Sequence, residues 1–153
     1  MRPNKFRELL RAGKPTMGTR VMSPWPTVIE VLGQAKQYDY VEFLAEYTPY
    51  DLHDLDNLCR AAELAELTPI IKIDQAASEY VAQRAVGAGF QGVMFTDCRC
   101  AEDARRYIRM VRPETPEDGG LYGAVPRRFT PRSQFGGVEY VQALRDVVVI
   151  LMI

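Results

Sequence analysis

An acid and a phenol stand side by side at the end of an apolar segment of the chain. Residues Tyr40 to Ala45 have the apolar and aromatic composition of a buried strand, and Glu46 and Tyr47 follow it directly. Asp51 then begins a helical pattern. Because α/β proteins place their chemistry where strands end and helices begin, this pair could exchange protons with a ligand. The alternative is that both are solvated residues of a turn.

A lysine stands near the end of the next apolar segment. Thr68 to Ile73 has the pattern of a short buried strand, and Lys72 lies near its carboxyl end. Burying an ammonium group is costly unless the group faces a polar pocket or water. Thr96 falls at the carboxyl end of a further strand, Gln91 to Phe95. The sequence therefore places an acid, a phenol, a cation and a hydroxyl at the ends of three successive strands.

The cysteines and the histidine supply neither a metal site nor a redox motif. Cys98 and Cys100 are separated by one residue, which is the wrong spacing for a zinc knuckle or a C-x-x-C motif. Cys59 is the third cysteine, so the number of cysteines is odd, and His53 is the single histidine. This usage favours buried or incidental thiols in a reducing compartment, so we predict a cytoplasmic protein. We expect His53 to be a surface residue in the first turn of a helix.

Composition and charge limit the class of protein. The chain has 153 residues, of which 47% are hydrophobic and 25% are charged, and this suits one globular domain. Its formal net charge of −1 creates no overall field that would attract nucleic acid or acidic membranes. The longest apolar run, Val147 to Ile153, is far shorter than the roughly 20 residues that cross a bilayer. We therefore predict no nucleic-acid partner and no membrane partner.

Apolar segments alternate with helical patterns along most of the chain. The predicted strands are Thr16–Met22, Tyr40–Ala45, Thr68–Ile73, Gln91–Phe95 and Val147–Ile153. The predicted helices are Asn4–Ala12, Pro26–Gln37, one that begins at Asp51, Ala76–Val86, Ala101–Val111 and Val138–Leu144. Four β-α units at intervals of roughly 25 residues, with nearly continuous apolar strands, require a parallel sheet covered by helices.

One long segment breaks this alternation. Residues Arg112 to Gly137 hold prolines, glycines and charges without a sustained period. Segments of this kind longer than about 12–15 residues are commonly lids, binding loops or disordered regions. We predict a single domain over residues 1–153 that contains a long loop excursion at 112–137.

Two architectures fit a parallel sheet of five strands. One is a flavodoxin-like doubly wound sheet, and the other is part of an eight-stranded TIM-type (β/α)8 barrel. The final segment VVVILMI is the most apolar in the chain, yet neither a turn nor a covering helix follows it. This favours an incomplete barrel, with the chain covering about the first five strands.

Two blocks of the sequence resemble a known family. TMGTRVMSPWPTVIEVLGQAKQYDYVEFLAEYTPYDLHDLDNLCRAAE is similar to the opening of the HpcH/HpaI aldolases, and VGAGFQGVMFTDCRCAEDAR is similar to that family's fourth strand and following helix. The blocks cover about half of the chain in consistent order. The likeness depends on the ordered combination of the AEDAR segment with Gly18, Glu30, Asp39, Glu46, Asp51, Pro69, Gly87 and Gly92.

The resemblance implies an activity. HpcH/HpaI aldolases are class II pyruvate aldolases on a β/α barrel, which cleave or form 4-hydroxy-2-oxo acids. A divalent metal, Mg²⁺ or Mn²⁺, stabilises the pyruvate enolate. The expected function is therefore a carbon–carbon lyase with a 2-oxo acid and an aldehyde as small-molecule partners. The resemblance also implies a homo-oligomer.

The resemblance implies the catalytic residues as well. Family members carry an Asp-x-Glu-His segment after the second strand, where this chain has Leu44, Ala45, Glu46 and Tyr47. The family's arginine after the third strand is matched by Lys72, which keeps the charge and loses the bidentate fork. The expected catalytic residues are Glu46, Tyr47 and Lys72. A phenol is a poor base at neutral pH without a neighbouring cation, but it can act as an acid or a hydrogen-bond donor.

The expected substrate-binding residues are Gly18, Arg20, Lys72 and Thr96. Arg20 matches a pocket-lining aromatic of the family near the first strand, and Thr96 matches a proline after the fourth. The family's metal-binding acids lie at the end of the fifth strand and after the sixth. This chain supplies none of them, so we predict no metal ligand within it.

The sequence also allows three other interpretations of the protein. The chain could be a catalytically impaired barrel that binds a 2-oxo acid. It could also be an inactive truncated fragment that self-associates through its final strand. Finally, Lys72 could react through a Schiff base, as the lysines of class I aldolases do.

Overall fold

The computed structural model of the chain describes residues 3–123 and 137–153. Five strands form one parallel sheet: β1 Gly18–Val21, β2 Tyr40–Leu44, β3 Thr68–Ile73, β4 Gly92–Phe95 and β5 Val148–Leu151. The helices are α1 Lys5–Arg11, α2 Pro26–Gln34, α3 Leu52–Leu64, α4 Ser78–Ala88, α5 Ala101–Val111 and α6 Val138–Arg145. Of the predicted excursion, residues 124–136 lie outside the described residues.

The strand order decides between the two predicted architectures. Each strand pairs in parallel with the next one along the chain, giving the order β1-β2-β3-β4-β5. A doubly wound sheet contains a reversal of strand order, whereas strands that follow one another without reversal are those of a β/α barrel. The predicted partial TIM-type barrel is therefore confirmed, and the flavodoxin-like alternative is wrong.

The two faces of the sheet differ in character. Val41 and Phe43 of β2 and Ile71 of β3 pack with the covering helices in the main hydrophobic core. Because side chains alternate along a strand, the residues between them face the other way. We call this opposite side the inner face. One row across it, set by the strand register, is Arg20, Glu42, Ile70, Gly92 and Val148, and the next row is Leu44, Lys72, Met94 and Ile150.

The helices cover the outer face as their apolar stripes predict. Leu55, Leu58 and Cys59 of α3 are almost completely buried against the sheet. A capping box at Asp51 begins this helix, because Asp51 accepts from the Asp54 amide and Asp54 accepts from the Asp51 amide. Cys98 is buried as well, whereas Cys100 is exposed. The predicted surface position of His53 is confirmed.

Helix α1 closes the amino end of the strands. The ring of Phe6 packs against the ring of Tyr40, with the two centroids 4.8 Å apart. The backbone amide of Phe6 donates to Thr68 Oγ1. Asn4 caps the helix and its Nδ2 donates to the carbonyls of Gln91 and Asp146, both at 2.9 Å. The carboxyl end of the strands lies on the opposite side from helix α1, so α1 does not block a site there.

Helices α2 and α4 differ from the predicted bounds by more than one residue, and α4 also extends to Ala88, past its predicted end at Val86. Helix α2 ends at Gln34 rather than Gln37, because Lys36 adopts a left-handed conformation with φ of 51°. Helix α4 begins at Ser78 rather than Ala76. The amides of Ala76 and Ala77 donate to Asp74 Oδ1, and the turn that they form precedes the helix.

The first part of the predicted excursion packs onto the domain. Tyr122 is buried and bridges to Pro113, and Arg145 Nη2 lies 2.9 Å from Asp118 Oδ2. Residues 112–123 therefore contact the helical layer although they have no periodic pattern. No helix in the described part of the chain is long and apolar enough to cross a membrane.

Candidate active site

The three predicted catalytic residues lie together at the carboxyl end of the strands. Lys72 Nζ is 2.7 Å from Glu46 Oε2 and donates a hydrogen bond to the Tyr47 hydroxyl at 2.9 Å. The ammonium also lies 4.6 Å from the centroid of the Tyr47 ring, within cation–π distance. One cation thus contacts both an acid and a phenol.

Local backbone structure explains why these side chains meet. Lys72 lies on β3 opposite Leu44, the last residue of β2. The chain then turns, with the Tyr47 amide donating to the Leu44 carbonyl at 3.1 Å. The Glu46 amide donates to the Lys72 carbonyl at 3.3 Å, which fastens the loop across the end of β3. The acid and the phenol are therefore positioned by the backbone before any ligand binds.

The environment of Lys72 keeps its side chain charged. Only 10% of the side chain is exposed, and this burial opposes the ammonium. The contacts with Glu46 and Tyr47 outweigh burial, so the pKa of Lys72 is raised above its ordinary value of 10.5. A Schiff-base lysine needs its neutral amine and is normally activated by a lowered pKa. The geometry therefore suits an electrostatic role for Lys72.

The exposure of the three side chains shows where a ligand could approach. Tyr47 is 59% exposed, whereas the side chains of Glu46 and Lys72 are mostly buried. The Tyr47 oxygen accepts from Lys72, so its own proton is available to a ligand oxygen. A buried ammonium beside a phenol proton can offset negative charge that develops on a ligand.

Arg20 belongs to a different pair from the one around Lys72. It lies opposite Glu42 in the strand register, with its Nε 3.5 Å from Glu42 Oε2. The Arg20 side chain is 69% exposed and that of Glu42 is 4% exposed. Sequence reasoning missed Glu42 as a polar residue of the inner face. The available signal was an acid within the otherwise apolar strand YVEFL.

Two of the predicted substrate-binding residues, Gly18 and Thr96, contact other parts of the sheet. A Cβ added to Gly18 would clash with the Tyr40 ring, so the ring occupies the space that glycine leaves. The Thr96 hydroxyl is buried and donates to the Ile73 carbonyl at 3.1 Å, which ties β4 to β3. Substrate binding by Gly18, Arg20 and Thr96 stays a prediction.

The donor set of the described residues does not fit a divalent metal. No group of three or more His, Cys, Asp or Glu side chains within residues 3–123 and 137–153 could hold an ion. Glu46 already contacts the Lys72 ammonium. Lys72, Tyr47 and Glu46 are thus polar groups that contact one another at this site.

Comparisons with known proteins give a family likeness through structure. No family model matches the chain, and no curated protein matches it in sequence. An HpcH/HpaI aldolase/citrate lyase family protein from Burkholderia cenocepacia has a similar structure, with a TM-score of 0.83 and 28% identity. The match covers 97% of this chain and 59% of that chain.

Two further structures share the fold at lower identity. HpcH/HpaI aldolase from Desulfitobacterium hafniense matches with a TM-score of 0.83 and 23% identity, over 97% of this chain and 56% of that one. The citrate synthase SbnG matches with a TM-score of 0.80 and 24% identity, over 99% and 56%. This chain thus spans less than two thirds of the length of the structures that it matches. The predicted likeness to the HpcH/HpaI aldolase family is confirmed by these structures, and the five strands described above correspond to part of that family's β/α barrel.

Proposed function

We propose that this protein is a carbon–carbon lyase of the aldolase type that acts on 4-hydroxy-2-oxo acids. The observation that carries the proposal is the Lys72 ammonium held between Glu46 and Tyr47 at the carboxyl end of β3. The residues occupy the positions at which the resemblance places the catalytic groups of pyruvate aldolases. The family likeness of the fold supports the same class of reaction.

Lys72 supplies the positive charge that an enolate requires. When the C3–C4 bond of a 4-hydroxy-2-oxo acid breaks, its electron pair is left on the pyruvate unit as an enolate. An ammonium beside the forming enolate oxygen lowers the barrier by electrostatic stabilisation. The raised pKa of Lys72 keeps this charge in place at neutral pH. Because an ammonium lacks the fork of an arginine, it contacts one oxygen as a point charge.

Glu46 and Tyr47 complete the proton transfers. In cleavage, Glu46 accepts the proton of the C4 hydroxyl as the aldehyde leaves, and Tyr47 donates its proton to C3 of the enolate. The phenolate so formed lies beside the Lys72 ammonium, which stabilises it. Return of the proton from Glu46 to Tyr47, both of which contact Lys72, restores the starting state. No net proton is gained or lost over the cycle.

A second candidate function is binding of a 2-oxo acid without turnover. Leu44 and Tyr47 occupy the positions of the family's aspartate and histidine. A barrel changed in this way could keep an anion site around Lys72 while losing the lyase reaction. This candidate shares the ligand class of the first and differs from it in turnover alone.

One pair of measurements separates the two candidates. Release of pyruvate from 4-hydroxy-2-oxo acids is followed with Mg²⁺ or Mn²⁺ supplied, and binding of pyruvate and oxamate is measured by calorimetry. Turnover that is lost in Lys72→Met supports the lyase. Binding without turnover supports the binding protein, and the absence of both contradicts the two proposals together.

The assembly and the partner aldehyde complete the proposal. The resemblance implies a homo-oligomer, which light scattering of the purified chain tests against its mass of 17.3 kDa. A well-behaved monomer would contradict it, and would equally contradict self-association through β5. The aldehyde is identified by comparing aldol addition of pyruvate to a series of aldehydes of increasing length.

A further inference from the structure

A second charged pair lies on the inner face of the sheet, away from Lys72. Arg20 of β1 and Glu42 of β2 are register partners in the row that contains Ile70 of β3. Lys72 lies two residues further along β3, which is about 6–7 Å along the strand. The proton transfers and enolate stabilisation proposed above involve neither Arg20 nor Glu42, so the pairing of these two residues calls for a separate explanation.

The carboxylate of Glu42 lacks a full set of partners. Its side chain is 4% exposed, and its Oε1 accepts no hydrogen bond from the described part of the chain. The other oxygen, Oε2, is reached by Arg20 Nε at 3.5 Å, which is long for a charge-assisted contact. A buried carboxylate with one oxygen unpartnered is unfavourable unless a donor reaches it. Glu42 Oε1 can therefore accept a further hydrogen bond, and Arg20 balances the charge of the carboxylate only in part.

A concavity is lined in part by this buried glutamate. It has a volume of 430 Å³ and is lined by Gly18, Thr19, Arg20, Tyr40 and Glu42. This volume is within the range of about 300–1,000 Å³ found for small-molecule sites. The Arg20 side chain is 69% exposed, and its Nε lies 3.5 Å from Glu42 Oε2. Its terminal nitrogens are thus available to a ligand at the same concavity.

We propose that Arg20 and Glu42 form a subsite for a small α-amino acid, bound as its zwitterion. The ligand carboxylate pairs with the terminal nitrogens of Arg20, which is a strong charge-assisted arrangement. The ligand ammonium donates to Oε1 of Glu42 and supplies the missing positive charge. A neutral hydroxyl would supply a hydrogen bond but no charge, so an ammonium is the better complement to a buried carboxylate.

Three ligands of the same size test this assignment by calorimetry on the whole chain. Alanine, lactate and pyruvate share a three-carbon carboxylate and differ at C2, where they carry an ammonium, a hydroxyl and a carbonyl. The expected result is that alanine binds at least about tenfold more tightly than lactate to the Arg20–Glu42 subsite, a difference of about 1.4 kcal/mol. The comparison is made in Lys72→Met, which removes the proposed 2-oxo acid site; there, binding of lactate as tight as that of alanine, or no binding of alanine, overturns the proposal.

Variants locate the binding and keep it separate from the lyase site. Glu42→Gln keeps the shape of the side chain and should weaken alanine by at least about tenfold, since it removes the charge that the ammonium needs. Arg20→Gln, at a mostly exposed position, gives the same test should Glu42→Gln fail to fold. Lys72→Met should leave alanine binding unchanged while it weakens pyruvate. Alanine affinity that survives Glu42→Gln or Arg20→Gln, or that depends on Lys72, contradicts the subsite without bearing on the lyase proposal.

Discussion

Lys72 Nζ and Glu46 Oε2 lie 2.7 Å apart, at the point where the loop after β2 crosses the end of β3. The Glu46 amide is fastened to the Lys72 carbonyl as well, so two contacts join the same two residues. A mostly buried ammonium is stable here because its partners are fixed by the backbone. The same arrangement gives the proposed active site a cation that needs no rearrangement before the ligand binds.

Replacing Lys72 removes the central charge of the site. In Lys72→Met we expect turnover of a 4-hydroxy-2-oxo acid to fall by about 10²–10³-fold, the loss typical of one electrostatic contact to a developing oxyanion. Lys72→Arg is the matched control, because it keeps the charge and restores the residue type of the family. It should retain much of the rate. Steady-state pyruvate release measures both variants, and equal rates in wild type and Lys72→Met would contradict this role.

Schiff-base chemistry at Lys72 is expected to be absent near neutral pH. Burial opposes the ammonium, but the contacts with Glu46 and Tyr47 prevail and raise the pKa of Lys72 above 10.5. The neutral amine that attacks a carbonyl therefore accumulates only as the pH rises through that raised value. Borohydride reduction with pyruvate at pH 7, followed by peptide mass mapping, should leave Lys72 unlabelled. A labelled Lys72 peptide at pH 7 would replace the electrostatic role with a covalent one.

Tyr47→Phe separates proton donation from binding. The ring remains 4.6 Å from the Lys72 ammonium, while the hydroxyl that donates a proton is removed. We expect kcat to fall by about 10²-fold, with a much smaller change in the affinity for pyruvate. Tyr47→His, which introduces the family's residue, is the informative companion and should recover part of kcat. Loss of pyruvate binding in Tyr47→Phe, with kcat retained, would assign the hydroxyl to binding instead.

The contact between Gly18 and Tyr40 makes a prediction about stability. A methyl group on Gly18 would clash with the Tyr40 ring, and that ring packs against Phe6. Gly18→Ala should therefore lower the free energy of unfolding by about 1–3 kcal/mol, as overpacking does. Urea denaturation measures the change. In a Tyr40→Leu background the same substitution should cost clearly less, and an equal cost in both backgrounds would show that the ring is not the cause.

The arrangement of strands and the main site could be predicted because their signals are local. Apolar runs such as Thr68–Ile73 mark the strands, and their alternation with helices predicts the parallel sheet. Since parallel strands end at one edge, Lys72 could be expected near Glu46 and Tyr47 before any contact was known. The rule that sets the position of the site is a property of the fold rather than of individual contacts.

Contacts between distant residues could not be predicted in this way. The pairing of Arg20 with Glu42 depends on the register of β1 against β2, which an apolar pattern does not specify to the residue. The packing of residues 112–123 depends on Arg145, which lies 27 residues from its partner Asp118. The Tyr40 ring fills the space beside Gly18, a contact that the strand pattern does not predict. Each case is decided by which side chains meet in three dimensions.

Lys72, held by Glu46 and Tyr47, is proposed to stabilise an enolate of pyruvate. Exchange of the methyl protons of pyruvate for deuterium in D₂O, followed by NMR, tests it most directly because no aldehyde is required. The protein should accelerate this exchange well above the buffer rate, and Lys72→Met should return it to that rate. Exchange by the wild-type protein at the buffer rate, or undiminished exchange by Lys72→Met, would contradict the account.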